Sequence, residues 1–264
     1  MKCSRVGMGL ALALACASAA CGDKDHYPPG GGGGVGAGGG SDRIDAGAPD
    51  AAVDAAQPVD AAIGILAGQL CNATDLRQPL ACAAADMSGI DVVDVSSETS
   101  DLTDASGTFD LEVALRGNLT LRTGASDGAV RDALIPVAMW DGAGVRAPSI
   151  AQQAWDDLRD AISGTEAEGT ASIVLYVRDG DGDPVAGADV IQPEGANPPY
   201  FDGAAADEWN LGTDTGAAGA AIVLSVPADT GTAQLSVVTG AGAPVDVIVP
   251  VEPGFLTWAT VTVP

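Results

Sequence analysis

Few residues in this chain can do chemistry, and the thiols come first. Its five cysteines are Cys3, Cys16, Cys21, Cys71 and Cys82. Next come carboxylates at alternate positions in Asp179-Gly180-Asp181-Gly182-Asp183. That spacing can aim three acidic side chains at one calcium ion. The run stops at Pro184 and lacks the bidentate Glu of a calcium loop, so a hairpin turn is the competing reading. Histidine, the usual acid–base group near neutral pH, occurs once, at His26. Lysine occurs only at Lys2 and Lys24, so from residue 44 onward there is neither Lys nor His. Serines are plentiful, but a serine nucleophile needs a base, and no Gly-x-Ser-x-Gly element is present. The expectation is a chain that is not an enzyme and needs no cofactor, with calcium at Asp179, Asp181 and Asp183 the one metal candidate.

The first 20 residues read as an export signal. Lys2 and Arg5 precede an apolar stretch from Val6 to Ala20, too short for a spanning helix of about 20 apolar residues. It ends Ala17-Ser18-Ala19-Ala20-Cys21-Gly22, which resembles a bacterial lipobox, with Ser18 where that motif prefers an aliphatic residue. The resemblance implies cleavage before Cys21 and lipid on its thiol, placing the protein in a bacterial cell envelope. Gly22, rather than Asp, after the cysteine implies sorting to the outer membrane. Ordinary cleavage after Ala20, leaving a free thiol, is the alternative. The formal charge of -25, from 36 acidic and 11 basic residues, argues against nucleic acid and against an anionic membrane surface. The membrane is therefore met through lipid alone.

Residues 21–62 are low in complexity. Gly30–Gly34 and Gly36–Gly40 are glycine-dominated, and Asp45–Ala62 is built of Ala, Asp, Pro, Gly and Val. Such a segment buries too little apolar bulk to offset its ordering entropy. As a disordered linker of about 40 residues it spans roughly 35 Å.

From residue 63 short runs rich in Val, Ile, Leu and Thr alternate with Gly, Asp and Pro turns, as in Ser172–Val177, Ala220–Val226, Val245–Val249 and Thr257–Val263. This pattern predicts an all-β sandwich class. Two halves align: Gln78–Ala83 with Asp183–Ala188, Thr103–Val113 with Thr213–Val226, and Ile135-Pro136-Val137 with Val249-Pro250-Val251. We read two sandwiches, 63–140 and 169–264, joined by a connector at 141–168. That connector carries an amphipathic helix, Ile150–Ile162, with the apolar stripe Ile150, Ala154, Trp155, Leu158, Ala161 and Ile162 turned to a sheet. Ser149 and Gln152 suit a capping box, and Gly164 suits the helix end. The alignment also puts Cys71 late in one strand and Cys82 early in its neighbour, so in an oxidising compartment the two are expected to form a disulfide.

The second half, from Val177 through Asp183-Pro184-Val185-Ala186-Gly187-Ala188-Asp189-Val190 to Thr213-Asp214 and Gly219, resembles the carboxypeptidase regulatory-like domain. The first half is similar, with Cys82 where the motif has glycine and with Thr103–Phe109 as the cleaner later copy. The resemblance implies two transthyretin-like β-sandwiches in a noncatalytic accessory or surface module. The expected role is structural, adhesive or protein-binding, at the face of an envelope. The alternative is a carbohydrate-binding module for extracellular or cell-wall polysaccharide, with Tyr200, Phe201, Trp209 and Trp258 as the available aromatics. With few aromatics in the chain, core packing has first claim on them.

Overall fold

The computed structural model describes residues 63–264, apart from 115–117, 139–143, 206, 207 and 241. The export signal, Cys21 and the linker lie outside the described residues. The body from Ile63 onward is nearly all β, as the strand-and-turn texture predicts.

The first sandwich is β1 (Ile63–Asn72), β2 (Asp91–Asp94), β3 (Ser100–Leu102), β4 (Thr108–Ala114), β5 (Asn118–Gly124), β6 (Ala133–Ala138) and β7 (Val145–Ser149). After α1 (Gln152–Ala161) the second comprises β8 (Thr170–Arg178), β9 (Ala188–Ile191), β10 (Tyr200–Asp202), β11 (Trp209–Leu211), β12 (Ala220–Pro227), β13 (Thr232–Thr239), β14 (Val245–Pro250) and β15 (Leu256–Thr262). Both have the same wiring. In one layer β4-β1-β7 corresponds to β12-β8-β15, and in the other β6-β5-β2 corresponds to β14-β13-β9.

The two copies are not separate beads. Strand β6 of the first pairs in parallel with β15 of the second, Ala133 with Leu256 and Leu134 with Thr257. This fuses one layer of each into a nine-stranded sheet, β11-β10-β12-β8-β15-β6-β5-β2-β3. The consequence is written in β8, where Ala171–Val177 is almost wholly apolar and buried on both faces. Ile173, Leu175 and Val177 face the interior of the second sandwich, against Val190, Leu235 and Val237. Val174 and Tyr176 point the other way, into a core shared with Leu66, Leu70, Leu121 and Trp155.

The twinning extends to single hydrogen bonds. The buried Thr103 hydroxyl accepts from the Ile90 N–H and donates to the Met87 carbonyl. Thr215 repeats this, accepting from the Ala188 N–H at 3.0 Å and donating to the Val185 carbonyl at 2.8 Å. The Gly107 carbonyl accepts from Leu70 N–H and the Gly219 carbonyl from Val177 N–H. Both glycines have left-handed φ, 81° and 62°, and a Cβ on either would strike a backbone oxygen within 2.7 Å.

Four expectations need correction. Strand β7 falls in the stretch read as connector, but it pairs with β1 from Gly68–Val145 to Asn72–Ser149 and completes the first sandwich. Ser149 is therefore a strand residue and not a helix cap. The helix starts after Ala151 without a side-chain cap, and the Gln152 N–H donates to the Ala129 carbonyl instead. At the other end Ser163, not Gly164, takes the left-handed position, while the Gly164 N–H closes onto the Arg159 carbonyl. The repeat register also differs. The Thr103 and Thr215 bonds make Gly89, not Cys82, the counterpart of Gly187, and Thr215, not Thr213, that of Thr103. Ile135 opposes Leu121 as Val247 opposes Leu235, so Ile135 corresponds to Val247 rather than Val249.

Helix α1 lies against the shared core, with Trp155 fully buried. Glu166 ties it down. One carboxylate oxygen accepts from Arg131 at 3.1 Å, from the Trp155 indole at 3.3 Å and from the Ser172 hydroxyl; the other accepts from Arg159 at 3.0 Å. Arg131 precedes β6, Arg159 is on the helix and Ser172 is in β8, so one mostly buried anion clasps both sandwiches and the helix. A bulge in β12, between Val223 and Val226, turns the Ser225 hydroxyl onto the Thr165 carbonyl and secures the same segment.

Replacing Thr215 by Val keeps the shape but strands a buried N–H and a carbonyl, and is expected to lower unfolding free energy by about 1–3 kcal/mol in urea titration. Glu166→Ala removes the anion that Arg131 and Arg159 share, leaving Arg159 to Asp156, and is expected to lose about 2–4 kcal/mol in the same measurement.

Candidate functional site

A cleft of about 810 Å³ opens between the two sandwiches. Its origin is geometric. Strands β6 and β15 pair at only two positions and then continue separately, β6 to Ala138 and β15 to Thr262. Neighbouring strands in a twisted sheet diverge unless a ladder holds them, so a wedge opens beyond Leu134 and Thr257. Four edge strands line it: Ile135, Pro136 and Val137 from β6, Val145 and Arg146 from β7, Val247–Pro250 from β14, and Ala259 and Thr260 from β15.

The lining is aliphatic, with hydroxyls at Ser96, Thr120 and Thr260, and among the described residues Arg146 is its only charged one. Arg146 is exposed and takes part in none of the ion pairs among the described residues. On the rim, Ile248 is 69% and Val95 48% exposed. The Ser96 hydroxyl donates to the buried Asp94 carboxylate at 2.8 Å, and Ser97 donates to the same oxygen at 2.6 Å. That cluster closes the turn after β2 and presents no activated nucleophile to the cleft. The site can hold a ligand by apolar contact, backbone hydrogen bonds and one cation.

A second inter-sandwich contact is built by the two cysteines. Cys71 and Cys82 form a disulfide, with Cα atoms 4.3 Å apart, and it closes the loop between them. The closure contributes about 2–3 kcal/mol by restricting the unfolded chain. The loop reaches the second sandwich: the Tyr176 hydroxyl donates to the Leu76 carbonyl at 2.7 Å, and Arg77 donates to the Ala204 carbonyl at 3.2 Å. Burial pushes the Tyr176 phenol well above its usual pKa. Burial alone would raise Asp75, but hydrogen bonds and charge from Arg77 bring its carboxyl below the ordinary value.

Asp179, Asp181 and Asp183 are not gathered round a cation position. Among the described residues no group of three or more His, Cys, Asp or Glu could hold a metal. One Asp179 oxygen instead accepts the backbone N–H groups of Asp181 and Asp183, at 3.0 and 2.9 Å, and Gly182 N–H donates to the Asp179 carbonyl at 3.1 Å. Asp104 does the same with Ser106, Thr108 and Gly107. The alternate-acid spacing is turn chemistry: an acceptor at the first position, a glycine at the fourth. Hydrogen bonds from Thr108 and then Ser106 hold the Asp104 carboxyl well below the usual range.

Tyr200, Phe201, Trp209 and Trp258 are all buried, in one core or the other. They offer no face to a sugar ring. Two features escape a reading of the sequence. Glu166 and its arginines carry no motif, because their spacing in the chain follows no pattern. The cleft does leave a trace: Pro136 and Pro250 sit inside strand-like runs, and proline in a strand is confined to an edge.

Among the described residues no helix is long and apolar enough to cross a membrane. No family model matches the sequence, and no curated protein matches it. Solved structures do match. This chain is similar to the Bacillus anthracis TIE protein at 8% identity and a TM-score of 0.23, over 76% of this chain and 34% of that one. It thus spans about a third of the TIE protein's length. It is similar to a Streptococcal ancillary pilin at 13% identity and a TM-score of 0.24, over 76% and 68% of the two chains. It is also similar to the shaft pilin SpaA from Lactobacillus rhamnosus GG, at 10% identity and a TM-score of 0.22, over 76% and 96%.

Proposed function

We propose that this protein is a noncatalytic component of a bacterial cell envelope that works by holding another macromolecule at the cleft between its two sandwiches. The carrying observation is the cleft itself. It is wide, aliphatic and rimmed by exposed Ile248 and Val95, and among the described residues its lining bears a single cation and no acid–base pair. Such a surface binds and does not turn over. The motif resemblance to carboxypeptidase regulatory-like domains supports the same noncatalytic role.

Placement rests on the N-terminal residues. Cleavage before Cys21 and lipid on its thiol would fix the chain to a membrane, by resemblance the outer one. Each buried acyl CH2 contributes about 0.8 kcal/mol, so two or more chains hold firmly. Residues 22–62 would then set the body away from the bilayer. A protein is the favoured partner over a polysaccharide, because the candidate sugar-stacking aromatics Tyr200, Phe201, Trp209 and Trp258 are spent on the cores.

In the full chain expressed in a bacterium, Cys21→Ala is expected to abolish labelled-palmitate incorporation and move the protein to the soluble fraction; unchanged incorporation would sink the anchor. A photo-crosslinking residue at Ile248 is expected to give a discrete protein adduct in living cells. The same residue at Leu211, equally exposed but outside the cleft, is expected to give none. No adduct at Ile248, or the same adduct at both positions, would defeat the contact reading.

A further inference from the structure

We propose that the cleft takes an extended polypeptide segment from a partner protein, added as a strand along the free edge of β15, with a carboxylate of that segment at Arg146. This rests on the cleft being a contact surface and names its occupant.

From Trp258 to Thr262, β15 is paired with β8 on one side, while its pairing with β6 on the other ends at Thr257. The gap therefore continues an established inter-sandwich ladder with its next rungs missing. Unpaired strand edges recognise backbone, and only a polypeptide supplies complementary N–H and C=O groups at strand spacing. Of the other three strands lining the cleft, Pro136 interrupts β6, Pro148 interrupts β7 and Pro250 ends β14. A proline removes a donor and blocks a ladder. Strand β15 has none from Leu256 to Thr262. Of the four, β15 alone joins a proline-free run to an inter-sandwich ladder that has already begun.

The lining fixes the side chains of the guest. A strand lying there projects alternate residues toward Val247, Ile248 and Val249 or toward Ile135, Val137 and Val145, so β-branched or small apolar residues suit it. Charge fixes the rest. The chain carries -25 overall, yet among the described residues lining the cleft there is Arg146 and no acidic residue. An acidic segment is repelled by the rest of the surface and drawn here, whereas a basic one would find counter-charges almost anywhere.

The test uses the purified full chain and a library of ten-residue peptides. Alternate positions are Val, Ile or Thr, and one central position is Asp or Glu; a matched set carries proline at the centre. Binders are expected among the first set and not the second. They are expected to slow amide hydrogen exchange at Trp258–Thr262 at least about ten-fold. Arg146→Glu, at an exposed position, is expected to weaken the best binder about ten-fold or more. Several results overturn the proposal: no binder in the library, equal binding of proline-bearing peptides, or binding without protection of β15. So does dimerisation of the full chain that Ile248→Asp abolishes, which would make a second copy the occupant. A cleft-dependent crosslink at Ile248 alongside a blank peptide library would defeat strand addition alone and leave the contact surface standing.

Discussion

A strand whose two faces are both apolar is stable only where both faces are covered, and β8 is such a strand. Ile173, Leu175 and Val177 on one face and Val174 and Tyr176 on the other are all buried. A lone sandwich covers one face of each sheet. The other face of β8, β12 and β15 therefore requires a second layer, and much of the remaining architecture answers that need. Trp155 of α1, the disulfide-closed loop with Leu76, and the first sandwich itself all join the core on that side. The helix between the sandwiches is thus a covering element and not a spacer.

Covering that face brings charge into a dry place, and Glu166 resolves it. Arg131 and Arg159 both reach the carboxylate, and Arg131 also lies over the Trp155 ring at 5.9 Å. Isolated, either cation would be expensive so close to the core. Paired through one anion they become a directional clasp, which aliphatic packing alone cannot be. The clasp orients the helix, the segment before β6 and the start of β8 relative to one another. It thereby sets where β6 meets β15, and so where the wedge beyond that meeting opens.

Local features are legible in the sequence, and long-range ones are not. The all-β class, the helix with its buried Trp155 and the Cys71–Cys82 bond follow from periodicity, turn residues and an even cysteine pair. The errors share a cause. Ser149 has the right type and spacing for a helix cap, but its backbone is claimed by β1, whose partner residue Asn72 is far away in sequence. Cys82 mimics Gly187 because a proline three residues earlier makes the two segments look alike. The true counterpart, Gly89, is identified by bonds to Thr103 that no spacing encodes. Asp179, Asp181 and Asp183 resemble a cation loop because turns and cation loops both reward an oxygen acceptor at alternate positions. Only the direction of the Asp179 carboxylate, toward backbone N–H groups, separates them.

Edges explain why fusion of the sandwiches leaves the molecule with so restricted an open surface. A β protein of this size must blunt its unpaired strands or aggregate. The two ends of the nine-stranded sheet are strands of three residues, β3 and β11. Strand β4, at the end of one small sheet, points Asp110 and Glu112 to solvent, and β9, at the end of the other, points Asp189 outward. Prolines interrupt β6 and β7, while β14 points Asp246 to solvent and ends at Pro250. The net charge of -25 adds a long-range repulsion between copies. Each device is ordinary alone. Together they act on every edge but the outer side of β15 past Thr257, which lies recessed in an apolar wedge instead of being blunted. An edge can be left unblunted at little risk when only a slender, extended chain can reach it, and the same recess makes it selective.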